Sequence, residues 1–103
     1  MGDSLRVYIS GPMTGYPDYN RLAFRSAAAA LSARGYDHPI DPGAVETPDL
    51  AWADYLRADL KLLLGCEAVA TLPGWQESRG ACLEVHVAQA LGMTVMPLDR
   101  WLA

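Results

Sequence analysis

Apolar positions recur along this chain with two different periods, and the changes from one to the other mark out the elements. Leu5-Arg6-Val7-Tyr8-Ile9-Ser10 alternates and then closes as a β-branched and aromatic run, which predicts a first strand. Gly11-Pro12-Met13-Thr14-Gly15-Tyr16-Pro17 follows as a loop. Asn20 is placed to cap a helix in which Phe24, Ala27, Ala28 and Leu31 fall at helical spacing, with Gly35 just past its end. Tyr36 to Ile40 reads as a weak second strand ended by Asp41-Pro42-Gly43. Thr47-Pro48 supplies a cap and a proline at the first helical position of a second helix. Its body, Leu50 to Leu64, carries Trp52, Leu56, Leu60, Leu63 and Leu64, and Gly65 closes it. Glu67 to Leu72 is a third strand, and Pro73-Gly74-Trp75-Gln76-Glu77-Ser78 a second loop. A third helix runs from about Arg79 to Leu91 with Gly92 at its end. Met93 to Pro97 is a fourth strand, and Leu98 to Ala103 a short terminal turn.

Strands alternating with helices build a parallel sheet with right-handed crossovers. The expected architecture is α/β: a small flavodoxin-like or Rossmann-like three-layer sandwich, with four parallel strands in the order 2-1-3-4 and helices on both faces. That order puts the topological switch between strands one and three, and ligands of such sheets bind outside the carboxyl ends of the strands there. The loops at 11–17 and 73–78 lie at that place.

The bulk properties narrow the picture. With 103 residues, 51% apolar and 19% charged, residues 1–103 read as one globular domain. A core of this size is modest, which favours association with copies of itself. A net charge of −4 and no basic cluster argue against nucleic acid as a partner. A small anion is still accommodated, since helix N-termini hold phosphate through backbone N–H groups. No apolar run is long enough for a membrane span. Met1-Gly2-Asp3-Ser4 leads straight into a strand, leaving no room for a signal peptide, and Cys66 and Cys82 lack framework spacing. The expectation is a cytoplasmic protein with reduced thiols.

Phosphate loops of the Walker type, dinucleotide glycine fingerprints and nucleophile elbows are all missing from the sequence. Cys82 and His86 stand four apart on a helix, but no further ligand pair joins them, so no metal is expected. Glu84 falls in helix three among Ala81, Val85, Ala88 and Leu91, near the positive end of the helix dipole. A partly buried carboxylate kept ionised there suits a nucleophile; a helix-surface glutamate is the plainer reading. Asp59, an unfavourable residue in mid-helix, is either functional or part of a solvated face shared with Arg57 and Lys61. Tyr8 on a central strand reads first as core. Ser78 caps helix three, alone or together with gripping a phosphate, and Trp75 either stacks on a base or covers the core.

Three segments in this order and spacing resemble the nucleoside 2-deoxyribosyltransferase superfamily over nearly the whole chain. They are Tyr8-Ile9-Ser10-Gly11-Pro12-Met13, then Asp59-Leu60-Lys61 before Cys66-Glu67-Ala68-Val69, then Ser78-Arg79-Gly80-Ala81-Cys82-Leu83-Glu84 followed by Ala88 to Gly92. Within it the likeness is to the small nucleotide N-glycosidase branch and to an uncharacterised DUF4406-type branch. The resemblance implies that Glu84 attacks C1′ of a sugar, that Tyr8 holds it and that Asp59 protonates the departing base. It further implies substrate contacts from Ser10, Gly11, Pro12, Met13, Trp75, Ser78 and Gly80, no cofactor, and a homodimer or larger homo-oligomer. Where nucleoside transferases commonly carry aspartate, six residues before the glutamate, this chain has Ser78. That points to a (deoxy)nucleoside 5′-monophosphate, which an aspartate would repel. Hydrolysis or transfer of the N-glycosidic bond is the expected reaction. A nucleotide-binding or sensing module without catalysis is the alternative.

Overall fold

The first strand sets the layering, because successive side chains leave a strand on opposite faces. In the computed structural model, which describes residues 5–40 and 51–103, β1 (Arg6–Ser10) is buried from Val7 onward. Val7 and Ile9 enter one hydrophobic cluster while Tyr8 enters another, so both faces of the sheet are covered. After β1 come α1 (Arg21–Ala33), β2 (Asp37–Ile40), α2 (Trp52–Leu64), β3 (Ala68–Thr71), α3 (Arg79–Ala90), β4 (Thr94–Pro97) and α4 (Leu98–Leu102). Two single 3-10 turns, Pro17–Asn20 and Trp75–Glu77, precede α1 and α3.

The domain is a small mixed α/β unit around a parallel sheet. β1 pairs with β3 from Val7↔Ala68 to Ser10↔Thr71, and β3 pairs with β4 from Ala68↔Thr94 to Thr71↔Pro97. β2 runs parallel to β1 on its other side, with a register irregularity between Arg6 and Tyr8. On one face Phe24, Ala27 and Leu31 of α1 and Trp101 of α4 pack on Val7, Ile9, Ala68, Ala70 and Leu72. On the other, Leu63 of α2 and Ala88 of α3 pack on Tyr8 and Val69. Among the described residues, no helix is long and apolar enough to cross a membrane.

Several local expectations change. Asn20 does stand before α1, but in a left-handed conformation (φ 62°) and without a capping hydrogen bond. Its side-chain amide donates instead to the Pro12 carbonyl at 3.0 Å, which ties the first loop to the helix start. Asp18 and Tyr19 are left-handed as well, so three consecutive non-glycine residues adopt a conformation that L-residues visit reluctantly. The predicted Asp41-Pro42-Gly43 turn and Thr47-Pro48 cap lie outside the described residues, and Ala51 caps α2 in extended conformation. Of its apolar positions Leu63 is fully buried, whereas Trp52 and Leu64 are exposed. The terminal turn is the helix α4, and its Trp101 belongs to the core. The indole N–H is shared between the carbonyls of Val69 (3.1 Å) and Met96 (3.2 Å), and the ring meets Tyr36 edge-on at 5.4 Å.

The α1 face depends on one aromatic ring. Phe24 is fully buried, so Phe24→Ala leaves a cavity and is expected to lower the unfolding free energy by about 3–5 kcal/mol. Chemical denaturation of the two proteins measures this.

Candidate active site

Two residues of β1 point at one residue of α3. Tyr8 and Ser10 are two apart on the strand, so both side chains leave the same face, from Cα atoms roughly 6–7 Å apart. On α3 the buried residues are Ala81, Glu84, Val85 and Ala88, an i, i+3, i+4, i+7 stripe that contains a carboxylate. Glu84 is 5% exposed. Its Oε2 accepts the Tyr8 hydroxyl at 2.6 Å, and its Oε1 accepts the Ser10 hydroxyl at 2.7 Å. The surface reading of Glu84 is therefore wrong, and the core reading of Tyr8 is incomplete. Among the described residues, no buried side-chain nitrogen or oxygen lacks a hydrogen-bond partner.

Asp59 projects from α2, which packs beside α3. It is half-buried and electrostatically coupled to Glu84. The two basic residues on the neighbouring solvated face, Arg57 and Lys61, are both exposed, and the Arg57 guanidinium lies 3.7 Å from Asp54. Ser78 caps α3, its hydroxyl oxygen accepting the Ala81 N–H at 3.2 Å. A Cβ added at Gly80 would meet open space, so the first turn of α3 is accessible.

The remaining sequence candidates are distributed differently. Gly11 and Pro12 are buried, and Gly11 is there by necessity: a Cβ on it would stand 2.7 Å from the Cβ of Leu72. Met13 packs against the α1-side cluster, on the sheet face opposite to Glu84. Trp75 is half-buried and lines a cleft of about 380 Å³ at the ends of β3 and β4, together with Thr71, Gln76, Pro97 and Asp99. That cleft is not walled by Tyr8, Asp59 or Glu84. The Cys82 thiol donates to the Gln76 carbonyl at 3.2 Å, and His86 is exposed. Two contacts carried no sequence signal. The Arg79 guanidinium stacks over Trp52 at 4.2 Å, joining the starts of α2 and α3. Tyr16 leans over Gly74, where φ is +87° and an added Cβ would lie 2.7 Å from the Tyr16 hydroxyl.

A family model described as a domain of unknown function, DUF4406, matches residues 5–97. The chain belongs to the DUF4406 family. The matched span of this DUF4406 domain runs from β1 through β4 and includes Tyr8, Ser10, Asp59, Ser78 and Glu84. No curated protein matches the chain.

The electrostatics of the DUF4406 site follow from its dryness. Burial pushes the Glu84 carboxyl up, and the hydrogen bonds from Tyr8 and Ser10 pull it back. Burial and, after it, the charge of Glu84 push Asp59 up to about 7. Burial first, then the charges of Glu84 and Asp59, hold the Tyr8 phenol well above its usual value, so it stays a donor. The arrangement anchors the buried Glu84 carboxyl through both oxygens beside Asp59, an acid that at neutral pH still holds its proton about half the time. Among the described residues there is no cluster of three or more His, Cys, Asp or Glu side chains placed for a metal ion.

A raised carboxyl also shapes stability. Between the unfolded value of Asp59, near 3.8, and its folded value near 7, the folded state binds more protons than the unfolded one. Stability from this group is thus full below about pH 4 and lost as pH rises through 7. Asp59→Asn is expected to melt higher than wild type at pH 8, the gap closing at pH 4. Thermal melts at the two pH values report it.

Proposed function

We propose that this DUF4406 domain cleaves the N-glycosidic bond of a (deoxy)nucleoside 5′-monophosphate, by hydrolysis or by transfer to a second base. The observation that carries the reading is the buried Glu84 carboxylate gripped by Tyr8, with Asp59 beside it near the midpoint of its titration. Departure of a base from C1′ develops positive charge on the sugar and negative charge on the leaving nitrogen. One carboxylate and one carboxylic acid answer those two needs, as in retaining glycosidases. Glu84 attacks C1′, the C1′–N bond breaks with its electron pair going to the base, and Asp59 gives the base its proton. Water, or another base, then takes the sugar from Glu84.

The nucleoside 2-deoxyribosyltransferase-like order of the three segments supports the same assignment. So does the strand order β2-β1-β3-β4, which puts the switch point between the strands ending in Ser10 and Thr71. The accessible first turn of α3, capped by Ser78 and followed by Gly80, suits a 5′-phosphate. In this reading Gly11 and Pro12 shape the wall under the sugar, while Met13 and Trp75 act from outside the carboxylate pocket. A small-molecule nucleotide is the partner, no cofactor takes part, and the domain works as a cytoplasmic homo-oligomer.

Glu84→Ala is expected to abolish release of free base while leaving nucleotide affinity within an order of magnitude. Chromatography after incubating both proteins with a panel of ribo- and deoxynucleoside monophosphates tests this; an unchanged rate in the variant would overturn the assignment. Wild type that releases no base but is thermally stabilised by one nucleotide would instead identify a non-catalytic binding module. The pH dependence follows from the two carboxyls. Rate falls on the acid side as Glu84 gains a proton, and on the alkaline side, near 7, as Asp59 loses one. A bell-shaped profile of kcat/KM is the expected record.

A further inference from the structure

One buried polar group at the site has no task in the reaction as drawn above. Ser10 is fully buried at the end of β1, and its hydroxyl donates to Oε1 of Glu84 at 2.7 Å. Tyr8 donates to the other oxygen from the same strand and the same face. Each carboxylate oxygen has two lone pairs, so one on each oxygen is taken by β1 and one is left. A carboxylate held through both oxygens by a single strand cannot rotate about its terminal bond without breaking one of them.

We propose that Ser10 is a positioning residue for the reaction: with Tyr8 it fixes the plane of the Glu84 carboxylate through two neutral hydroxyl donors rather than a cation. The proposal rests on the reading of Glu84 as nucleophile, and it moves Ser10 from the substrate contacts to the machinery beneath them. A cation in the same place would neutralise the charge that C1′ requires, whereas a neutral hydroxyl stabilises the anion and leaves it an anion. The groups that face the pair are consistent with this. β1 presents Tyr8 and Ser10 to Glu84, α2 presents Asp59, and Cys66, between α2 and β3, acts on Tyr8. Among these described residues none is cationic, and the charge of Asp59 would oppose that of Glu84. The two hydroxyls are therefore what burial has to overcome, and Ser10 is half of that support.

The test has two readouts. The first is the titration of Glu84 itself, followed by the carboxyl carbon resonance in protein labelled at glutamate. In Ser10→Ala the midpoint is expected to rise by about one pH unit, the scale of one lost charge-assisted hydrogen bond. Ser10→Thr restores the hydroxyl and is expected to return it toward wild type. Ser10→Cys, nearly isosteric and a weak donor, is expected to fall between, and it carries the test if the bulk of threonine or the loss in alanine disturbs the amide spectrum. The second readout is base release. Ser10→Ala is expected to move the acid limb of kcat/KM upward by the same amount and to lower kcat about tenfold with KM little changed.

A Glu84 midpoint that is the same in Ser10→Ala and wild type overturns the proposal whether or not the protein cleaves nucleotides. A shifted midpoint in a protein that releases no base overturns the glycosidic reading instead and leaves the hold of Ser10 on the charge supported. A shifted midpoint with an unmoved acid limb assigns the limb to another group and overturns the catalytic role of Ser10.

Discussion

A carboxylate enclosed between a helix and a sheet is unfavourable as an anion unless donors replace the water it has lost. Here those donors are the hydroxyls of Tyr8 and Ser10, and much of the domain is arranged so that they meet Glu84. β1 must be central, since a strand covered on both faces can bury Tyr8 and Ser10 on one side while Val7 and Ile9 anchor the other. α3 must present its buried stripe in register with β1, which the pairing of β1 with β3 and the short Pro73–Ser78 connection bring about. Loss of that alignment would strand a charge in an apolar interior rather than merely loosen a contact.

The same enclosure couples the site's acids. Burial first, and then the Glu84 charge, keeps a proton on Asp59 up to about pH 7; burial first, and then both charges, keeps Tyr8 protonated. The three groups therefore titrate as a set, and burial in their shared environment raises all three.

The opposite face of the sheet is packed by α1 and α4. Trp101 closes it, hydrogen-bonded to one carbonyl of β3 and one of β4 and braced by Tyr36. The loop after β1 is clamped between layers where Gly11 abuts Leu72, and Asn20 holds the Pro12 carbonyl. These contacts deny the end of β1 freedom to move, and Ser10 is the last residue of that strand. A hydroxyl that must hold one oxygen of a carboxylate needs such a support.

Reading along the chain determined the elements and the α/β class, because strand and helix periodicities, glycine ends and proline starts are local properties. It also singled out Glu84, Asp59, Tyr8 and Ser78, through position and through the order of three short segments. It could not decide whether Glu84 faced solvent or the sheet, since a stripe at 81, 84, 85 and 88 becomes a buried stripe only when a particular sheet lies under it. The same limit hid the contact of Ser10 with Glu84, the packing of Met13 on the α1 side, the cleft lined by Trp75, the core role of Trp101 and the left-handed turn at Asn20. The deciding contacts join residues that are not neighbours in the chain: Ser10 and Glu84 are 74 residues apart, Trp101 and Val69 are 32 apart, and Asn20 and Pro12 are 8 apart. Local pattern specifies what a segment is; only the packed layers decide which of its polar atoms lose water, and that loss turned an ordinary glutamate into a held and perturbed one.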